Sequence, residues 1–358
     1  MNTLKKFNKT KVLIVGSGII GKFNALELSK LGFEITIVDE LEKQNSSNAA
    51  LGLLMGNIYQ KRKGRSWDLR RKSLELWPVW LDILKRYNSE LKIEKPLLQL
   101  TTDIKKFQRL VEFASNYPKD DFEILAKDSY LLNQVNKVFK KNNLQGLISY
   151  KDGRINPSIL LKTLDTALSA KEIKQLNNQI TAIKKDKNRW ISELKTGESI
   201  TNEIIILCNS LDSLMLIDRE KYRFKLKPVI GQGIEIICED KKINFLSLPQ
   251  HFSINGKNLI PLSQNRIIIG STDEYSFKPK EEYINELINF VKYKPYWLDK
   301  KNISKNWFGI RSRPEGQPSP ILQSLEEGLI ICSGFYKNGF LLAPACSNWI
   351  SEEIKKHL

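Results

Sequence analysis

The sequence predicts an α/β protein: a Rossmann-type dinucleotide-binding domain joined to a second, α+β domain built on a mixed, largely antiparallel sheet. Three observations carry this. The apolar run Lys11 to Val15 leads directly into Gly16-Ser17-Gly18-Ile19-Ile20-Gly21 and then into an acid-terminated strand. Ile204 to Cys208 is a continuous apolar run, the pattern of a strand buried on both faces of a parallel sheet. From Arg223 to Ser271, short segments alternate apolar and polar residues as antiparallel strands do.

The elements follow in order. Val12-Leu13-Ile14-Val15 is a short β-rich run, and Phe23, Leu26 and Leu31 continue at helical spacing until Gly32 closes the helix. Glu34 to Val38 is the second strand and ends in Asp39. Trp67 to Tyr87 reads as one amphipathic helix bent at Pro78. Ser158 to Leu168 is a helix, Ile180 to Ile183 and Trp190 to Leu194 are strands, and Arg223 to Ile237, Leu246 to Pro261 and Arg266 to Ser271 supply the antiparallel sheet. A helix from Lys280 to Tyr293, a glycine-rich stretch from Trp307 to Pro344 and a last helix to about Lys356 complete the chain.

The 358 residues are 41% hydrophobic, enough for a large core and for two domains. Cys208, Cys238, Cys332 and Cys346 show no CxxC spacing and sit in apolar runs, which argues against a metal site or disulfide framework and fits a reducing cytoplasm. His251 and His357 are the only histidines. A triad hydrolase or His-ligated zinc would have to be built on His251 alone. The lysine-led start could pass for a leader, but its apolar run is too short and reads as a strand. No run approaches the ~20 apolar residues of a spanning helix. A soluble cytoplasmic protein is expected.

The formal charge is +17. Lysines scattered over a solvated surface account for such a value, and so does a polyanionic partner, RNA or an anionic membrane surface. The best local support for a partner is Lys61-Arg62-Lys63-Gly64-Arg65 followed by Arg70-Arg71-Lys72 around Trp67.

In the glycine loop, Gly16 permits the tight turn, Gly18 lets the backbone approach a pyrophosphate, and Gly21 brings the helix against the strand. The amides at Ile19 and Ile20 open that helix and offer unpaired N–H groups and a partial positive charge to phosphate. Asp39 ends the strand and is placed to accept from ribose hydroxyls, with Glu40 as the alternative acid. The loop alone does not separate FAD from NAD.

Six further segments resemble the FAD-dependent amino-acid oxidase superfamily that contains D-amino-acid oxidase, glycine oxidase and sarcosine oxidase. Asn45 to Leu54 resembles its Ser/Ala-rich loop against the FAD pyrophosphate and flavin, with Ser46, Ser47, Ala50, Leu51 and Gly52 in the binding positions. Asp152-Gly153-Arg154-Ile155-Asn156-Pro157 is similar to the DGxVNP turn, and Pro228-Val229-Ile230-Gly231-Gln232 to the PxRGQ strand. Gly270-Ser271-Thr272 and Trp307-Phe308-Gly309-Ile310-Arg311 match two more strand motifs. Gly334-Phe335-Tyr336-Lys337-Asn338-Gly339-Phe340-Leu341-Leu342-Ala343-Pro344 follows the C-terminal signature. The matches run in family order over nearly the whole chain.

The resemblance implies a glutathione-reductase-like FAD domain from 9–90, 150–222 and 305–358, and a substrate domain from 91–149 and 223–304. It implies FAD held non-covalently, since no cysteine or histidine falls on a linkage position, with Ile180 meeting the adenine. Gly334 and the segment Lys337 to Leu341 then lie over the flavin's N1–C2=O2 edge, where the amides around Asn338 to Phe340 face growing negative charge. A hydride passes from the amine-bearing carbon of an amino acid or amine to the flavin, and the imine hydrolyses. Arg311 falls on the position that clamps the substrate carboxylate, with Arg313 as backup. Asn258 stands where a tyrosine is common, Lys337 where an arginine is, and Phe335 where a histidine is, so the pocket wall differs and glycine does not follow as the substrate. Tyr336 could offer a hydroxyl to the substrate. Oxygen or quinone would take the electrons. Two alternatives stay open: oxidation of a modified tRNA base, and a quinone-linked dehydrogenase at a membrane surface.

Overall fold

The computed structural model describes residues 10–40, 45–140 and 142–356. The lysines before residue 10, the expected first domain limit at residue 9 and His357 lie outside the described residues.

Six strands form the first sheet, in the order Ile321–Glu326, Leu329–Ser333, Ile204–Leu207, Lys11–Val15, Glu34–Asp39 and Lys174–Asn177. Neighbours run parallel except at the first pair, which is a hairpin. The central strand shows why its sequence is apolar throughout. Val12 and Ile14 point into one core, shared with the helices Ile19–Ser29, Arg65–Lys85, Pro157–Ala170 and Gly339–Lys356. Leu13 and Val15 point into another, shared with Ile180, Trp190 and Leu194 of a small antiparallel sheet. A strand covered on both faces has no side on which a polar residue is solvated.

The second sheet has eight strands: Ile303–Pro314, Leu226–Ile237, Arg266–Gly270, Lys257–Pro261, Phe252–Ile254, Leu97–Thr101, Gln145–Ser149 and Phe122–Ile124, in that order. Only Phe252–Ile254 and Leu97–Thr101 pair in parallel, so the sheet is mixed and largely antiparallel. Here alternation separates two faces. Leu98, Leu100, Ile234, Ile236, Phe252, Ile254, Leu259, Ile267 and Ile269 enter a core with Phe139 and Trp297. The intervening residues form a row across the other face: Gln99 beside Ser253, then Asn258, Gly270, Gly233 and Trp307.

Three expectations change. The helix predicted from Lys280 to Tyr293 is helical only over Glu282–Ile288; Lys280 instead gives its amide to Glu274 and its carbonyl to Gln232. The segment from Leu246 to Pro261 holds two short strands rather than a continuous one, because the residues before Phe252 form a one-turn helix over Phe245–Ser247. The domain limit drawn at residue 305 falls inside the strand Ile303–Pro314, which pairs along its length with Leu226–Ile237 in the larger sheet.

Candidate active site

The glycine turn is closed by its own neighbours. Gly16 has φ +105° and donates its N–H to the Val38 carbonyl at 2.8 Å. A Cβ on Gly21 would stand 1.9 Å from the Gly16 carbonyl oxygen, so only glycine lets the helix Ile19–Ser29 start this close to the strand. A Cβ on Gly18 would meet Ser47 Oγ at 3.0 Å, the same hydroxyl that accepts the Ile19 N–H at 3.0 Å. Ser47 therefore caps this helix from a distant loop. Ile20, next in that first turn, is buried in the core. Asp39 accepts from both the Ser17 N–H and the Ser17 hydroxyl, each at 2.6 Å. Glu40, the alternative acid, is paired with Lys195 at 2.8 Å.

The loop that follows is pinned to the glycine-lined face of the larger sheet. Ser46 donates its hydroxyl to the Ile310 carbonyl, and Trp307 Nε1 donates to the Ala49 carbonyl at 3.2 Å. Ala50 donates its N–H to the Ser47 carbonyl at 3.4 Å. Leu51 gives its carbonyl to Arg154 Nε at 2.9 Å and lies 3.1 Å from where a Gly270 Cβ would be. Gly52 (φ +76°) has the Ile155 carbonyl against it. Asp152 locks the next turn. Its buried carboxylate accepts the amides of Gly56, Asn57 and Ile58, each at 2.7 Å, and the Ser149 hydroxyl at 2.7 Å. Burial pushes its pKa up, and those four donors oppose the rise.

Arg311 lies on the same face, four residues beyond Trp307. Its guanidinium rests over Gly231, where a Cβ would stand 1.8 Å from Nη2. Nη2 donates to Ser271 Oγ at 2.6 Å, and Nη1 to the Thr272 carbonyl and Asp273 Oδ1, both at 3.0 Å. Burial lowers its pKa, and Asp273 is the main opposing influence. Beneath it, Gln232, Thr272 and Glu274 form a buried network: Thr272 Oγ1 accepts the Gln232 N–H at 2.8 Å and donates to Glu274 Oε1 at 2.6 Å, and Gln232 Nε2 donates to Glu274 Oε1 at 2.8 Å. That network holds the Thr272 carbonyl in place beneath Arg311.

Asp273 gathers the cluster, and the sequence reading missed it. Besides Arg311 it accepts the Tyr336 hydroxyl at 3.1 Å and pairs with Lys337 Nζ at 2.5 Å. Burial first, and then Asp273, push the Tyr336 pKa up, so the phenol stays neutral and donates. Tyr336 has φ +52°, and its N–H donates to the Ser312 carbonyl at 2.9 Å. Arg313 turns outward, donates to the Tyr275 hydroxyl and lies 5.1 Å from the Tyr336 ring. The signal for Asp273 was its place directly after Gly270-Ser271-Thr272.

The other predicted residues spread along the molecule. Asn258 stands in the polar row, between Ser253 and Gly270. Ile180 is buried in the core of the parallel sheet's second face. Gly334 (φ +70°) gives its carbonyl to Ser319 Oγ at 2.6 Å. At the last helix one expected donor is already used: the Asn338 N–H returns to the Phe335 carbonyl at 3.0 Å. The first intrahelical bond runs from Leu342 N–H to the Asn338 carbonyl at 2.8 Å, so the amides of Gly339, Phe340 and Leu341 precede it. Asn338 Oδ1 accepts from Arg70 Nη1 at 3.0 Å.

That last contact changes the reading of the basic stretch. Arg70 is buried and lies 4.1 Å from the Tyr59 ring, Arg65 donates to the Leu322 carbonyl, and Arg62 stacks on Tyr117 at 3.7 Å. Arg62 and Arg70 thus turn into the fold, while Lys61, Lys63, Arg65, Arg71 and Lys72 are exposed. His251 is buried and neither ring nitrogen has a hydrogen-bond partner among the described residues; burial first, then Arg154, push its pKa down to about 4. A surface hollow of about 180 Å³, lined by Thr10, Glu203, Ile204 and Glu326, sits at the opposite end of the parallel strands from the glycine loop.

The family described as FAD dependent oxidoreductase (DAO) matches residues 11–353. The chain belongs to this family. It is 23% identical over 355 residues to a glycine oxidase of Pseudomonas aeruginosa, covering 96% of this chain and 94% of that protein. It is also 23% identical over 379 residues to the tRNA 5-methylaminomethyl-2-thiouridine biosynthesis bifunctional protein MnmC of Legionella pneumophila (strain Corby), covering 97% of this chain and 54% of that protein. The chain therefore spans about half the length of that relative. Among solved structures it shares its fold with a glycine oxidase from Bacillus cereus (TM-score 0.82, 20% identity, 97% of this chain and 98% of the other). An iminodiacetate oxidase from Chelativorans sp. BNC1 has the same fold (TM-score 0.82, 16% identity, 97% and 96%).

This DAO-family protein is thus an FAD-dependent oxidoreductase, with FAD as its cofactor. Its residues fit the group. Gly16 and Gly21 have no room for a Cβ against neighbouring backbone, a Cβ on Gly18 would crowd the Ser47 hydroxyl, and Ser47 holds an amide at the helix start that phosphate could take over. On the face of the larger sheet, Gly270 and Gly309 let the loop 45–52 lie close, while Gly231 and Gly233 make room for the side chains of Arg311 and Trp307. Among the described residues, no helix is long and apolar enough to cross a membrane.

Proposed function

We propose that this chain oxidises the C–N bond of an amino acid or related amine that carries a carboxylate, releasing an imine. The observation that carries this is Arg311, a largely buried guanidinium on the glycine-lined face, held by Ser271 and the Thr272 carbonyl. FAD supplies the hydride acceptor. The chain's own part is position and charge. Arg311 offers two N–H groups to a carboxylate, and the Gln232–Thr272–Glu274 network fixes the strand end that supports it. Asn258 and Ser253 border the same face and present polar groups to the rest of the substrate. A neutral substrate amine needs no strong protein base. The one histidine among the described residues is buried with its pKa pushed down to about 4, which agrees with chemistry that uses none. Gly339, Phe340 and Leu341 bring the amides of the last helix's first turn to the end of the site marked by Asn338. Ile180 meeting the adenine, and a non-covalent FAD, belong to the same reading.

The test is anaerobic reduction of the purified protein by glycine, sarcosine and D-amino acids. Loss of the ~450 nm flavin band with one of them supports the reading, and no bleaching by any carboxylate-bearing amine overturns it. A second reading draws on the likeness to the Legionella pneumophila protein: a substrate presented on tRNA. Arg70, buried, and Arg62, stacked on Tyr117, leave it less basic surface than the sequence suggested. Bleaching by a modified tRNA alone would select it.

A further inference from the structure

Asp273 occupies the group that the substrate needs. We propose that Asp273 is a built-in competitor: its carboxylate holds Arg311 while the site is empty, and a substrate carboxylate must displace it onto Lys337. This rests on the reading of Arg311 as the carboxylate clamp. The two oxygens of Asp273 are divided. Oδ1 faces Arg311 Nη1 at 3.0 Å and the Tyr336 hydroxyl at 3.1 Å, while Oδ2 faces Lys337 Nζ at 2.5 Å. Arg311 has its other contacts with Ser271 and the Thr272 carbonyl, so Asp273 is the one anion it holds among the described residues. A bidentate carboxylate requires two parallel N–H groups of the guanidinium; Nη2 has one N–H on Ser271, and Nη1 has both of its own committed, to the Thr272 carbonyl and to Asp273, so Nη1 can join a bidentate pair only when Asp273 leaves.

The arrangement sets the order of encounter. The Arg311 side chain is 15% exposed, while Asp273 is 39% and Lys337 45% exposed. An entering carboxylate therefore meets the Asp273 anion before it reaches the guanidinium. Release of Arg311 keeps two of the three contacts of Asp273, those with Lys337 and Tyr336, so displacement does not strand a buried charge. Lys337 is the holding position. With Asp273 in place, a ligand that touches Arg311 through one weak contact gains little, whereas a carboxylate seated bidentately exchanges one ion pair for a stronger one. Asp273 is thereby a specificity-determining residue, one that raises the threshold for binding without touching the reacting atoms.

Two substitutions have opposite expected signs. In Asp273→Asn the clamp is free, and in Lys337→Gln the holding position is gone and Asp273 settles on Arg311. The holoenzyme is titrated with acetate, and binding is read from the shift of the flavin spectrum. Asp273→Asn should tighten acetate about fivefold, the scale of one part-exposed ion pair. Lys337→Gln should weaken it several-fold in the parent and leave it unchanged in the Asp273→Asn background. With a turnover substrate, Asp273→Asn should lower KM in the same proportion as it tightens acetate. Unchanged or weaker acetate binding in Asp273→Asn overturns the proposal, as does an equal effect of Lys337→Gln in both backgrounds. Should Asp273→Asn not fold, Lys337→Gln alone decides: weaker acetate binding supports the competitor, and unchanged or tighter binding overturns it. Arg311→Ala separates this failure from failure of the clamp. If acetate binds that variant as it binds the parent, the carboxylate reading of Arg311 falls, whatever Asp273 does.

Discussion

At the glycine loop, the holding contacts are short in sequence and none of them is an ion pair: Ser17 and Asp39 are 22 residues apart, Ile19 and Ser47 28. At the arginine cluster they are longer and ionic. Arg311 reaches Ser271 and Asp273 across 40 and 38 residues, and Lys337 reaches Asp273 across 64. The first region is closed by backbone geometry that glycine alone permits, so its polar groups refine a turn that already exists. The second exists only because three segments of the chain bring opposite charges together. A single lost side chain should therefore be felt far more at the arginine end.

Arg311→Ala gives the largest expected effect. Removal of a bidentate clamp should lower kcat/KM about a thousandfold, some 4 kcal/mol of transition-state binding, while the protein stays yellow. Loss of FAD together with activity would show that the two regions are not independent.

Where the regions meet, Arg154 holds the Leu51 carbonyl and Glu94 and charges the surroundings of His251. A folded-state pKa pushed down from 6.5 to about 4 favours the neutral ring in the folded protein. Its contribution to stability is complete above about pH 6.5 and is lost as pH falls toward 4, by up to about 3 kcal/mol. His251→Leu should remove that part of the acid sensitivity in urea unfolding at pH 7 and pH 4.5. An unchanged difference between the two pH values would assign the acid sensitivity to other groups.

The smallest effect belongs to the glycine loop. Ser47→Ala removes the acceptor of the Ile19 amide and should cost about 1 kcal/mol, the worth of a helix cap. It should show as a lower denaturation midpoint of the FAD-free protein, with kcat at saturating FAD intact. A Ser47→Ala effect as large as that of Arg311→Ala would erase the contrast between the two regions.

Much of the fold was legible because it rests on short-range pattern. The strand from Lys11, the glycine turn, the helix to Ser29 and the strand to Asp39 sit where periodicity and glycine placed them. The same holds for Ile204–Leu207 and the antiparallel run from Leu226. The helix predicted from Lys280 to Tyr293 was too long at both ends: Lys280 gives its carbonyl to Gln232, and Phe290 and Tyr293 bond to Asn255 and Asn142, partners outside any local window. The basic stretch near Trp67 read as a surface because charge alone does not tell which cations turn inward.

By itself the sequence determined the dinucleotide turn, the α/β class and the family, since each depends on residues close together or on motifs in a fixed order. Only the tertiary structure decided that Arg70 ties the basic helix to Asn338, and that Asp273 sits on Arg311 with Tyr336 and Lys337 around it. Ion pairs between distant segments leave no periodic trace in a chain. They are set by which strand ends the folded sheets bring together.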